Sequence, residues 1–172
     1  GYIVDATVLG FDQFEKNSKK AVQIIKDKNA SFDITLNTAD NRTLHTKDMY
    51  FEPKLTTEGK NQVLTLQLKA GPDQFLEYRY VLKPTEYMLD FAIRSQGLEN
   101  VIDASKPVDL EWEMKTYRNE KSISYENRYA EIYYNYQDGK ESYVGQGALK
   151  EENPEKVDYV AFKQHFFATI LQ

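Results

Sequence analysis

Apolar and charged positions alternate along much of this chain, as they do in β-strands that bury one face and expose the other. The clearest case is the segment 108–115, in which every even position is apolar and every odd position is charged. Shorter alternating runs, or runs rich in Ile and Tyr, mark five further segments as strands. These predicted strands cover residues 32–36, 62–69, 75–83, 88–94 and 131–136.

Turn residues separate many of these segments. Gly accepts a positive φ and Pro fixes a negative one, and such residues occur in four short connections: Gly71-Pro72-Asp73, Lys83-Pro84, Gln96-Gly97 and Asp138-Gly139. Strands that follow one another without helices between them predict antiparallel sheets, and roughly ten of them in one chain imply two packed layers. The sequence therefore predicts an all-β, two-layer antiparallel sandwich over residues 1–150.

Two segments depart from the alternation. Residues 119–128 are polar and fit either a short helix capped by Asn119 or a loop. Residues 151–172 fit a linker followed by an amphipathic helix, because aromatic and apolar residues recur there at helical spacing and leave Gln164 and His165 on the opposite face. The apolar face of this predicted helix contains Tyr159, Val160, Phe162, Phe166, Phe167 and Ile170.

Composition narrows the possible classes of protein. With 41% hydrophobic and 28% charged residues, the chain can form a folded core. Its net charge of −5, without a basic run, argues against nucleic-acid binding. It has no cysteine, and its longest apolar stretch falls far short of the roughly 20 residues that a membrane-spanning helix needs. Because it begins without Met, we interpret it as a fragment of a longer protein.

Candidate catalytic chemistry is sparse. The two histidines, His45 and His165, have no metal-ligand spacing, and the chain has neither a phosphate-binding glycine loop nor a nucleophile elbow. Glu111 and Glu113 share one face of a predicted strand, where two carboxylates could act on a sugar. The alternation favours the other interpretation, that this is simply the solvated face of the strand. We therefore expect no metal and no cofactor.

Aromatic residues make up 13% of the chain. Tyr133, Tyr134 and Tyr136 lie in one predicted strand, where they could form a sugar- or peptide-binding platform or simply pack in the sheet. The predicted terminal helix also has two interpretations: it packs on a sheet and closes the core, or it lies in a membrane interface.

The run of residues 159–171, Tyr-Val-Ala-Phe-Lys-Gln-His-Phe-Phe-Ala-Thr-Ile-Leu, resembles the end of the large periplasmic domain of the bacterial YidC membrane protein insertases. Tyr159 stands where Trp is common in that family. Residues 80–91 resemble the family's strand-turn-strand after its Phe-Val-Leu signature, and the Tyr-rich segment 132–136 is similar to versions from Bacteroidetes. The resemblance covers the C-terminal two thirds; residues 1–57 fit by position only.

The resemblance implies a β-supersandwich similar to galactose mutarotase, followed by a helix leading toward the membrane. It also implies a Gram-negative inner-membrane protein that assists insertion and folding of membrane proteins, with this domain in the periplasm. The same resemblance implies that the domain itself is not an enzyme. Its expected partners are Sec translocon components, membrane-protein clients and the membrane interface beside the terminal helix. The alternative from the residues themselves is a carbohydrate- or peptide-binding β-sandwich module.

Overall fold

A computed structural model describes residues 1–15, 17–147 and 150–172. Its regular structure is almost entirely β, as predicted, with one short α-helix, α1 (Ile123–Asn127), and one 3-10 helix (Thr46–Asp48). The strands in the described residues are β1 (Ala6–Asp12), β2 (Ala21–Ile25), β3 (Ala30–Asn37), β4 (Thr43–His45), β5 (Glu52–Glu58), β6 (Asn61–Gly71), β7 (Gln74–Leu82), β8 (Leu89–Gln96), β9 (Asp109–Met114), β10 (Glu131–Tyr136), β11 (Lys140–Val144), β12 (Val157–Lys163) and β13 (Ala168–Leu171).

Each of the six segments predicted as strands from alternation or composition is confirmed within one or two residues, as β3, β6, β7, β8, β9 and β10. The predicted turns at Pro72-Asp73 and Asp138-Gly139 are also confirmed, since they join β6 to β7 and β10 to β11. The chain divides into two compact units. Unit 1 contains residues 1–3 and 31–113, and unit 2 contains residues 4–30 and 114–172.

Unit 1 contains an antiparallel meander, β5-β6-β7-β8, and a three-stranded sheet in the order β4-β3-β9. Its core is centred on Tyr78, which is 1% exposed and lies in a cluster with Ile34 and Leu76. The Tyr78 ring makes edge-on contacts with Phe32 and Phe91, at centroid distances of 6.3 and 5.6 Å. These aromatic contacts add to the apolar burial that holds the unit together.

Unit 2 contains the β1-β2 hairpin and a four-stranded antiparallel sheet in the order β11-β10-β12-β13. In this sheet Tyr134 pairs with Val160, and Ala161 pairs with Ile170. The segment 151–172 therefore supplies two strands to the sheet that also contains β10 and β11.

The predicted C-terminal amphipathic helix is wrong. Residues 157–163 and 168–171 are strands, joined by a turn in which the Gln164 amide donates to the Phe167 carbonyl at 2.8 Å. The β-branched and aromatic residues of this segment favour a strand, and pairing with β10 satisfies the backbone groups of β12. Apolar residues recur at helical spacing here because the turn between β12 and β13 shifts the two-residue alternation of the strands, so that the whole segment resembles the longer period of a helix.

For the polar segment 119–128, the structure selects the short helix rather than the loop, but with a different cap. Ser122 is the N-cap of α1, and its hydroxyl accepts a hydrogen bond from the Tyr125 amide at 3.3 Å. Asn119 lies three residues before this cap, and its backbone amide donates to the Glu126 carboxylate.

Candidate functional site

Two buried polar side chains join the turn between β12 and β13 to the segment around α1. Glu126 and Gln164 are 4% and 6% exposed. The Gln164 side-chain amide donates to the Tyr117 carbonyl at 2.7 Å and to Glu126 Oε1 at 3.2 Å. Its oxygen accepts from the Asn119 side chain at 3.2 Å. Gln164 therefore fixes the start of the turn against the 117–126 backbone.

The Glu126 carboxylate is also held by the backbone. It accepts from the Asn119 amide at 2.9 Å and from the Glu120 amide at 3.3 Å. Since buried carboxylates are costly unless they are hydrogen-bonded, this arrangement explains how a Glu with 4% exposure is tolerated in α1. The network makes the turn and the 117–126 segment one local structure.

The next residue of the turn, His165, is packed among aromatic rings. Its ring stacks on Tyr129 with centroids 4.4 Å apart, and it lies 4.1 Å from the Phe166 ring. Tyr125 approaches it edge-on at 5.2 Å. Its Nδ1 lies 2.6 Å from the Glu120 carboxylate. His165 is thus a packing residue that leaves Phe166 projecting outward, with 71% of its surface exposed.

Beside this turn lies an open cavity of about 490 Å³. Its aromatic lining comes from β1, the β1–β2 connection and the turn, and Phe11 meets Phe167 edge-on at a centroid distance of 5.6 Å. Polar lining residues include Asp12 and Lys121. We call the aromatic residues that line this cavity the aromatic patch: Phe11, Phe14, Phe166 and Phe167.

A bulge in β1 supplies part of this patch. Val8 pairs with Val22 and Asp12 pairs with Ala21, so three residues of β1 lie opposite no residue of β2. Gly10 at the centre of the bulge has φ +88°, and a Cβ added there would meet none of the described residues within 4 Å. The bulge leaves Leu9 and Phe11 75% and 49% exposed.

The residues predicted to form the apolar face of the C-terminal helix lie on different surfaces of the structure. Because side chains alternate along a strand, Tyr159 and Ile170 lie on one face of the sheet, while Val160 and Phe162 lie on the other. Phe166 and Phe167 lie in the turn and line the cavity. The structure therefore brings together Phe166 and Phe167 but separates the rest of the predicted set.

The three tyrosines of β10 are also divided. Tyr134 is 7% exposed and packs beside Tyr136 at a centroid distance of 5.6 Å, so it offers little ring surface to a ligand. Tyr133 lies on the opposite face, stacked with Tyr159 at 6.4 Å. Its hydrogen bond to Glu141 raises the pKa of the Tyr133 phenol to about 12.

The polar residues that suggested possible catalysis in unit 1 have structural partners. Glu111 forms an ion pair with Lys47 at 3.2 Å, and Glu113 accepts from Ser31 at 3.3 Å. His45 Nδ1 lies 2.7 Å from the buried Asp33 carboxylate. Burial alone would raise the pKa of Asp33, but hydrogen bonds from the Lys47 amide, His45 and Thr46 outweigh it and hold that pKa below its ordinary value.

Within residues 1–15, 17–147 and 150–172, no three His, Asp or Glu side chains converge as metal ligands. The same described residues contain no helix long and apolar enough to cross a bilayer.

Sequence reasoning missed the Glu126–Gln164 network and the bulge. Gln164 was assigned to the polar face of a helix, and no local pattern distinguishes a buried glutamine from an exposed one. A detectable signal existed for the bulge: Gly10 interrupts an apolar strand, and glycine inside a strand often marks a bulge.

Comparisons with known proteins agree along nearly the whole chain. A family model described as YidC periplasmic domain matches residues 1–171. A membrane protein insertase YidC from Porphyromonas gingivalis W83 is 29% identical over 161 residues, covering 92% of this chain and 25% of the relative. One from Phocaeicola vulgatus is 31% identical over 133 residues, covering 76% and 21%. The chain spans about a quarter of the length of such relatives. No solved structure gives a significant match.

Proposed function

The chain belongs to the YidC periplasmic domain family, and from this premise we propose that it is a non-enzymatic interaction module of a membrane protein insertase. The observation that carries the proposal is the family match, which covers residues 1–171 and so nearly the whole chain. The relatives that it resembles are named membrane protein insertases.

The proposed location is the periplasmic side of a Gram-negative inner membrane. The proposed partners are membrane-protein clients, Sec translocon components and the membrane interface. The family resemblance also implies the mutarotase-like two-layer β-supersandwich, which stays a prediction. The boundary between residues 150 and 151, which was predicted from the polar stretch there, also stays a prediction.

Unit 2 offers a physical basis for an interaction role. The buried Glu126–Gln164 network fixes the turn that carries Phe166, so this exposed side chain is presented from an ordered backbone. An exposed aromatic contributes no core packing, and its contact with a partner would gain the apolar burial that folding leaves unused. We propose the aromatic patch as the contact surface of the module, in place of the helix face expected from the sequence.

The test is removal of residues 1–172 from the full-length insertase in cells depleted of their own copy, with expression matched to the intact protein. We expect poorer insertion of a membrane-protein client and weaker copurification of Sec translocon components. If insertion and copurification both equal those of the intact protein, the proposed function is wrong.

A further inference from the structure

The last strand of the meander in unit 1, β8, has an open edge. Among the described residues it pairs only with β7, in a register that runs from Leu89 to Gln96 without a bulge. Residues 92–96 are all exposed, although successive side chains of a strand point to opposite faces of the sheet. Ile93, which shares a face with the buried Tyr78, is 41% exposed. The backbone groups along this edge are therefore accessible to a further strand.

The other edge of the same sheet, β5, is protected against pairing with a second strand. It contains Pro53, which has no backbone N–H, and its first and last residues are Glu52 and Glu58. If two antiparallel copies of β5 were centred on Leu55, Glu52 of each copy would lie opposite Glu58 of the other. Like charges directly opposite each other destabilise a strand pair. Neither feature occurs in β8, which contains no proline and whose two charged residues have opposite signs.

The sequence of β8 is complementary to itself. When two antiparallel copies are centred on Ala92, Asp90 of each copy lies opposite Arg94 of the other. Phe91 of each copy then lies opposite Ile93 of the other, on the face that packs on the core of unit 1. Centring the pair on Phe91 or on Ile93 instead would also match the faces of the two sheets, but it would remove both charge pairs. The charges therefore select one register.

The two charged side chains are free to take a second partner. Asp90 and Arg94 have side-chain exposures of 57% and 63%, and they form ion pairs within their own sheet with Lys83 and Glu77. A guanidinium has five N–H donors and a carboxylate accepts several hydrogen bonds, so each group can add a contact without losing the present one. A second β8 would also cover Ile93 and so increase apolar burial.

We infer that β8 pairs antiparallel with β8 of a second copy of this chain, with the two-fold axis at Ala92 and an ion pair between Asp90 and Arg94 on each side of it. A two-fold contact requires a surface that is complementary to itself, because both copies contribute the same residues. Backbone hydrogen bonds supply the affinity of an added strand, and side-chain pairs set its register. The inference goes beyond the proposed function and does not depend on it.

The test is sedimentation velocity of the 172-residue chain at concentrations up to about 0.5 mM, where we expect a reversible monomer–dimer equilibrium. Ala92→Glu and Ala92→Lys should each weaken the dimer about tenfold, because two like charges then meet at the two-fold axis. An equimolar mixture of these two variants should form dimers within about twofold of the wild-type affinity, since a carboxylate then lies opposite an ammonium group.

Ala168→Glu and Ala168→Lys are the matched controls, because Ala168 is also an exposed alanine in an edge strand, β13 of unit 2. Both should dimerise as the wild type does. Asp90→Lys checks the register at a second position, since it places like charges opposite Arg94, and it should weaken the dimer about tenfold. Circular dichroism should show the wild-type fold for every variant, because all three positions are exposed.

Four results would overturn the inference. The wild type stays monomeric at the highest concentration, or the Ala92 variants dimerise as well as the Ala168 controls. The controls lose as much affinity as the Ala92 variants, which would place the contact elsewhere, or the mixture of Ala92→Glu with Ala92→Lys fails to restore the dimer. Dimers formed by the wild type, by the controls and by the mixture, together with weak association of each Ala92 variant alone, would confirm the paired β8 edges.

Discussion

Replacing Gln164 with Leu should release the turn that presents Phe166. The substitution removes the donor to the Tyr117 carbonyl at 2.7 Å and the acceptor of the Asn119 side chain at 3.2 Å. It also removes one of the donors to Glu126. Each buried polar group left without a partner costs about 1–3 kcal/mol. Asn119 can recover part of its loss from solvent, and Leu adds some apolar burial, so we expect a net cost of about 2–3 kcal/mol.

This cost should be local, because all of these bonds join the turn to one segment. Hydrogen exchange measured on peptides covering residues 117–129 and 164–167 should accelerate by about 30-fold to 150-fold, the equivalent of that free energy. Gln62→Leu is the matched control, since Gln62 is an exposed glutamine whose side chain bonds only to Thr57 in the described contacts. Unchanged exchange in both peptides, or an equal acceleration for the control, would refute the reasoning.

A second variant tests whether Glu126 and Gln164 act together. Glu126→Gln keeps the shape but replaces one acceptor oxygen with a donor that faces backbone amides, at a cost of about 1.5–3 kcal/mol. Since the two residues share a hydrogen bond, the double variant should lose less stability than the two single variants combined, by about 0.5–2 kcal/mol. Strict additivity would show that the two side chains act independently.

Three other predictions concern stability. The pKa of Asp33 lies below its ordinary 3.8 in the folded chain. The ionised carboxylate therefore contributes fully to folding stability above pH 3.8, and this contribution is lost as the pH falls through the lowered pKa of the folded chain. Asp33→Asn should therefore destabilise unit 1 by about 1.5–3 kcal/mol near pH 7, and the deficit in urea unfolding should shrink below about pH 4; a constant deficit would contradict this. Gly97→Ala should lower the free energy of unfolding by about 2 kcal/mol in thermal unfolding, because φ is +63° and the new Cβ would lie 2.8 Å from the Asp73 carbonyl oxygen. Gly59→Ala is the control, since Gly59 has φ +65° but no described residue within 4 Å of the new Cβ, and it should cost less. Equal costs for the two variants would show that the clash with Asp73 is unimportant. Ser122→Ala should cost about 1 kcal/mol by removing the cap of α1, and an unchanged exchange rate in residues 123–127 would show that the cap is unimportant.

The alternation of apolar and polar residues located strands correctly where a strand buries one face and exposes the other. It located β9 within one residue, because charged and apolar residues there occupy strictly opposite faces. Turn chemistry was equally informative at Asp138-Gly139, where both residues have positive φ. In each case the information lies within a few neighbouring residues.

The C-terminal hairpin could not be recognised in this way. Its turn, Gln164-His165-Phe166-Phe167, contains neither Gly nor Pro, so nothing local marks a reversal of the chain. Both faces of β12 carry large apolar side chains, which removes the alternation that would have identified a strand. What determines the structure there is pairing with β10 and the bonds from Gln164 to a segment some 40 residues earlier, and neither is visible in a local pattern.

The candidate site was found only in part for the same reason. Phe166 and Phe167 were predicted as part of the apolar face of a helix that the structure does not contain. Phe11 belongs to the patch through its contact with Phe167, across most of the chain's length. The bulge that exposes Leu9 depends on the register between β1 and β2, which is a property of the paired strands and not of either one alone.

The most direct test of the central claim compares two double variants of the full-length insertase in cells depleted of their own copy. One carries Phe11→Ser with Phe166→Ser in the aromatic patch, and the other carries Tyr50→Ser with Tyr87→Ser, two exposed aromatics of unit 1. At matched expression, the patch variant should insert a membrane-protein client more slowly than the wild type, while the control variant should insert it at the wild-type rate. Wild-type insertion by the patch variant, or equal impairment by the control, would contradict the claim that unit 2 acts through this surface.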